Sequence, residues 1–138
     1  MEEVGNDRAV KMVRGTALYL LSGATVFSLE MIVFVAKGWK QGFPWWLKYF
    51  VGVGGWLIIP YAAMCLLVTR RKYTIRQEIV HLFGCIGIVV FGITMTLDGF
   101  LIHPDPRNWV LYVLIPIYQW VAIAGCIALS YAVGKSLK

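Results

Sequence analysis

Charged side chains are scarce in this chain of 138 residues: 14% are Asp, Glu, Lys or Arg, where an average soluble domain has roughly 25%. The shortage excludes a disordered chain and a long coiled coil, both of which rely on dense charge to stay in water. Cysteine is rarer still. Cys65, Cys85 and Cys126 make an odd count with no Cys-x-x-Cys pair, which argues against a disulfide scaffold and a cysteine-based metal site. There are two histidines, His81 and His103. The motifs Gly-x-Ser-x-Gly, His-Glu-x-x-His, Gly-x-Gly-x-x-Gly and the phosphate-binding P-loop are all missing, so the usual soluble catalytic centres have no foothold.

Apolar residues fill the space that charge leaves, at 59% of the chain with a mean hydropathy of +0.72. A soluble domain this small could not hide so much apolar surface, because small domains leave a large share of their area in water. The chain therefore reads as a polytopic membrane protein. A crossing takes roughly 20 mostly apolar residues, and four stretches qualify, about 16–36, 45–68, 79–102 and 109–133. Short connectors force antiparallel neighbours. The expected fold is all-α, one transmembrane domain over residues 1–138, built as an up-down-up-down bundle of four helices. A β-barrel is excluded because the segments are apolar all round and do not alternate.

Basic residues set the orientation. Arg8, Lys11, Arg14, Arg70, Arg71, Lys72, Arg76, Lys135 and Lys138 fall on one side, nine in all, against Lys37, Lys40, Lys48 and Arg107 on the other. Both termini are expected in the cytoplasm. The net charge of +6 is thus mainly a topology signal, and no basic patch interleaved with aromatics points to nucleic acid. The start, with its apolar run from Leu18 to Val26 and Ser22-Gly23-Ala24, imitates a signal peptide, but the apolar character continues to Ala36, which favours a crossing. Trp39, Trp45, Trp46 and Trp109 mark the opposite interface. Pro60 and Pro116 sit inside crossings and release the carbonyls of Trp56 and Tyr112. Gly52, Gly54, Gly55, Gly84, Gly87 and Gly92 suggest close helix seams. The three cysteines read as small packing residues.

Ionisable groups inside a crossing are costly and by default functional. Two carboxylates fall there, Glu30 and Asp98. At the helical rise they lie roughly 9 and 6 Å beneath the outer boundary, at nearly equal height. A helical stripe through Glu30 takes in Gly15, Tyr19, Ser22, Gly23 and Lys37; one through Asp98 takes in Gly84, Gly87, Phe91 and Thr94. In the fourth crossing Asn108, Tyr112, Gln119, Cys126 and Ser130 share a face. These stripes are expected to turn away from lipid, into the bundle or an oligomer seam. The expected site is a pocket near the outer leaflet lined by Glu30, Asp98, Tyr112 and Gln119, with Lys48 beside an acid. The competing reading has both acids reaching the surface to pair with Lys37, Lys40 or Lys48.

No cofactor or metal is expected. His81 and His103 stand about 33 Å apart on one helix, too far to hold one haem, and Glu30, Asp98 and His103 lack Glu-x-x-His spacing among them. The pairing of Glu30 with Asp98 in apolar crossings resembles membrane-embedded terpene cyclases, and that likeness implies acid–base work on an isoprenoid. The leading expectation is a membrane protein that binds a hydrophobic or cationic small molecule at Glu30 and Asp98, as a homo-oligomer or a subunit of a membrane complex. The rivals are a membrane enzyme using Glu30 and Asp98 as acid and base on a lipid or isoprenoid, and a proton-coupled transporter protomer.

Overall fold

A computed structural model describes residues 2–31, 33, 50–70, 73–102 and 109–135. Among them every regular element is helical: α1 (Glu2–Glu30), α2 (Gly55–Arg70), α3 (Ile75–Leu97) and α4 (Trp109–Lys135), with π-helical turns at Phe50–Gly54 and Asp98–Ile102. Each helix contains a segment long and apolar enough to cross a bilayer: Asp7–Glu30, Val51–Thr69 (which takes in most of the first π turn), Ile75–Leu97 and Val113–Lys135. The chain is a multi-pass integral membrane protein with an all-α four-helix fold.

Helix ends depart from the apolar runs for local reasons. α1 begins at Glu2, well before the apolar run near Thr16, because Arg, Lys and Met in that stretch are good helix formers. Hydropathy marks where lipid begins and not where a helix does. α3 begins at Ile75 instead of Ile79. Thr74 is its N-cap, and the Gln77 side-chain oxygen accepts the Thr74 N–H at 3.1 Å, supplying an acceptor at the helix start. The wide π-helical turns, which include Met31 and Val33, gather at the far end of the bundle; such turns loosen the helical ladder.

The packing order is less simple than the connectivity. α1 packs chiefly on α3 and on α2, α4 packs on α3 and on α2, and α2 meets α3 only sparsely. Around the bundle the order is α1–α2–α4–α3, so α2 and α3, though joined by a short link, lie across a diagonal. Arg14 pairs with Glu78 at the starts of α1 and α3, while Leu20, Ala24, Val89 and Ile93 share one groove further along, so these two helices run in the same direction. Trp56 Nε1 donates to the Val113 carbonyl at 3.4 Å, and α2 and α4 run together likewise. Gln77 Nε2 donates to the Ser130 carbonyl at 3.1 Å, which brings the start of α3 beside the end of α4. The beginning of α1 and the end of α4 therefore share one end of the bundle, the Arg14 end.

All four helices feed the core. Leu21 and Ala24 of α1, Met64 and Val68 of α2, Cys85 and Ile88 of α3, and Ile123 of α4 are buried together. Cys65 and Cys126 pack against that cluster, in keeping with their reading as packing residues. Two glycines make close seams within the chain. A Cβ on Gly84 would overlap Cys126 Sγ, and one on Gly92 would overlap the Tyr61 hydroxyl and the Gln119 amide. Gly15, Gly23, Gly52, Gly55 and Gly87 face open space instead. Tyr19, Phe83, Val90, Val121 and Tyr131 are exposed, the lipid-facing shell expected of apolar helices.

Candidate functional site

The strongest electrostatic feature lies at the Arg14 end. Arg14 Nε donates to Glu78 Oε1 at 3.1 Å, and a second Arg14 nitrogen donates to the same oxygen. Glu78 is 1% exposed and the Arg14 side chain 27%. Glu78 Oε2 is buried with no hydrogen-bond partner. One turn on, at i+3, His81 is 1% exposed and its Nδ1 also lacks a partner. Two orphaned polar atoms within one helical turn are unusual, since buried polar groups are nearly always paired.

His81 faces a cavity of about 400 Å³ between α2, α3 and α4. That is within the usual size range of small-molecule sites. Its polar end is built from Tyr73, Gln77, His81 and Ser130; the remaining wall is largely Leu66, Leu67, Trp120, Ile123 and Ile127. The Tyr73 and His81 rings meet with centroids 4.4 Å apart. Gln77 is held on both sides, its oxygen by Thr74 and its nitrogen by Ser130, and Gly134 leaves the room it needs, because a Cβ there would overlap the Gln77 amide. Leu66, Trp120, Ile127 and Tyr131 line the cavity and are also exposed on the outside of the bundle. The cavity thus opens sideways, towards the surrounding bilayer. Two further cavities, one of about 430 Å³ between α1 and α3 and one of about 320 Å³ between α3 and α4, are almost wholly apolar.

A second polar cluster sits mid-bundle. The Tyr61 hydroxyl lies beside the Gln119 amide and near Ser28, and Gln119 Nε2 donates to the Ile88 carbonyl at 3.3 Å. Tyr61, Ser28 and Gln119 are all buried. The cluster joins all four helices, which is how polar side chains commonly act in lipid. Gln119 Oε1 has no partner.

Of the residues expected to form an outer pocket, Gln119 stands apart from the two acids. Gln119 lies at the level of Ile88, ten residues before Asp98 on α3, about 15 Å at the helical rise. Glu30 is sixteen residues on from Arg14, and Asp98 twenty on from Glu78, about 24 and 30 Å above the ion pair. The acids thus lie within about 6 Å of one height on two parallel helices. Asp98 is half-buried and forms the C-cap of α3, whereas Glu30 is exposed. Neither lines any of the three cavities above. The Tyr112 side chain and Lys48 lie outside the described residues, as do Lys37, Lys40 and His103. The stripe on α1 turns outward: Tyr19 is 84% exposed, and Ser22, Gly23 and Glu30 are exposed too. On α3, Gly84 is packed while Gly87 and Thr94 are exposed, so that stripe is not one inward face. On α4, Gln119 and Ser130 are buried and Cys126 is half-buried, an inward face.

Glu78 and Tyr61 escape the sequence reading, and His81 enters it only as a haem ligand too far from a second one. Glu78 falls just outside the apolar run 79–102, although Thr74-Ile75-Arg76-Gln77 is a capping-box pattern that starts the helix before it. Glu78-Ile79-Val80-His81 is also a Glu-x-x-His spacing, at the opposite end from the one tested. Among the described residues no group of three or more His, Cys, Asp or Glu side chains could hold a metal ion. Comparison with protein-family models, with curated proteins and with solved structures finds no match to this chain.

Proposed function

We propose that this protein binds a membrane-resident small molecule in the cavity between α2, α3 and α4. The observation that carries the reading is His81, a buried side chain with an unpartnered nitrogen, at the polar end of a cavity otherwise walled by apolar residues and open to the side. An unsatisfied buried polar group costs stability, and a ligand atom hydrogen-bonded there removes that cost. With nine basic residues assigned to the Arg14 side, the cavity lies in the cytoplasmic half of the bilayer. The site is therefore moved from Glu30 and Asp98 to the other end of the bundle.

Native mass spectrometry tests this directly. The protein released from its own membranes should carry an added small-molecule mass. Ala63→Phe, which fills the cavity from α2, should lose that mass and unfold at the temperature of the wild type stripped of its ligand. An added mass equally present in both proteins contradicts the reading.

A second reading attaches to the outward stripe of α1. Glu30 with Tyr19 and Ser22 presents polar groups on the outer surface of the bundle, where contact with hydrocarbon is unfavourable. This supports a seam with a partner helix, from a second copy or a larger assembly. Ser22→Cys in a cysteine-free background should form a disulfide-linked dimer in bilayers if the partner is a second copy, and stay monomeric if it is another protein or lipid.

A further inference from the structure

We propose that the molecule held beside His81 is electrically neutral and carries a hydroxyl at its polar end: a long-chain, prenyl or sterol-type alcohol. The inference rests on the ligand-binding reading above and narrows its chemistry. Among the described residues, none that lines the cavity is Asp, Glu, Lys or Arg. The nearest carboxylate on the same helix, Glu78, already shares Oε1 with Arg14, so the pair carries no net charge. A charged head group drawn inside would lose its water and meet no counter-charge among the described lining residues, which is strongly unfavourable. The cationic ligand expected from sequence is therefore set aside for this cavity.

The wall also has one polar end and one apolar end. Tyr73, Gln77, His81 and Ser130 form the first. Trp120 stands at the other, ten residues before Ser130 on α4, about 15 Å away at the helical rise. That shape fits one head and one tail. Within the polar end Gln77 is already engaged through both its oxygen and its nitrogen, which leaves the Tyr73 and Ser130 hydroxyls and the imidazole of His81, whose Nδ1 is unpartnered, to meet a head group. A neutral imidazole nitrogen is a donor in one tautomer and an acceptor in the other. A hydroxyl answers both, whereas a carbonyl or an ether oxygen answers only the donor form.

The test uses the full chain in phosphatidylcholine nanodiscs and three probes with the same bromine-tipped undecyl tail: the alcohol, the ionised carboxylate and the trimethylammonium. Bromine at the tail end quenches tryptophan, and the chain has six, so the Trp120 part is taken as wild type minus Trp120→Phe. The alcohol should quench Trp120 saturably at a concentration about tenfold below either charged probe, the factor that follows from one hydrogen bond to a buried group. His81→Phe should abolish that preference, and His81→Asn, which still donates and accepts, should keep part of it. Equal quenching by all three probes, or preference for a charged one, overturns the head-group assignment and leaves the ligand-binding reading in place. If no probe quenches Trp120 saturably, the ligand-binding reading itself falls.

Discussion

Replacing Arg14 by alanine strips Glu78 of its guanidinium while leaving the carboxylate 1% exposed, with Oε2 already unpartnered. Breaking a buried ion pair from one side costs about 3–5 kcal/mol, because the remaining charge is left without compensation. Arg14 is itself 27% exposed at the end of the bundle, so water reaches part of the pair. That places the expected loss near the lower bound, about 3 kcal/mol. For a chain of this length the loss amounts to about 10 °C in unfolding temperature. The reverse change, Glu78→Gln, should cost less, about 1 kcal/mol, since the stranded guanidinium reaches solvent and the amide keeps the volume. The pair Arg14→Met with Glu78→Leu should recover most of the loss, because apolar replacement of both partners removes the desolvation penalty. Tryptophan fluorescence during thermal unfolding in nanodiscs reads all four proteins. The reasoning is refuted if Arg14→Ala costs under about 0.5 kcal/mol, the usual range of a neutral surface change. It is also refuted if the double variant loses as much as Arg14→Ala alone, since removing both partners should lift the penalty of the stranded charge.

Other outcomes follow from the packing. Gly92→Ala should destabilise by about 1–3 kcal/mol through overpacking against Tyr61 and Gln119, whereas Gly87→Ala on the same helix, facing open space, should be neutral or slightly stabilising; the same melts separate them. Tyr61→Phe removes the hydroxyl that faces Gln119 and Ser28 and should cost about 1 kcal/mol, with hydrogen exchange rising mid-bundle. Gln77→Ala frees the Thr74 N–H and the Ser130 carbonyl together, so exchange should rise at the start of α3 and spare its centre. Glu30→Gln, on an exposed position, should leave the unfolding temperature of the monomer unchanged and register only in an assay of association.

The fold class was legible because four apolar runs of crossing length leave few other solutions. The inward face of α4 was legible too, since Gln119, Cys126 and Ser130 repeat at helical spacing on a background of apolar residues. What could not be read was rotation about the helix axis. Glu30 and Asp98 share a height that depends only on residue counting, but the direction of each side chain depends on which helices are neighbours. The ring order α1–α2–α4–α3 rests on contacts such as Arg14 with Glu78 and Trp56 with Val113, between residues far apart in the chain. It leaves Tyr19, Ser22 and Glu30 on the outside. Glu78 was hidden for a different reason: a polar link and the polar first turn of a helix have the same composition, and only the Thr74–Gln77 cap separates them. His81 looked idle because it was weighed for haem alone, and its orphaned nitrogen is visible only once the cavity around it is closed.

The most direct test of the central claim is the position of a photolabel. A diazirine-tagged long-chain alcohol, irradiated in bilayers containing the protein, should mark Leu66, Ile123 and Ile127 saturably, and unlabelled alcohol or Ala63→Phe should suppress that marking. Labelling confined to the outward residues Phe83, Val90 and Val121, rising in proportion to probe without saturation, would contradict a binding site between α2, α3 and α4.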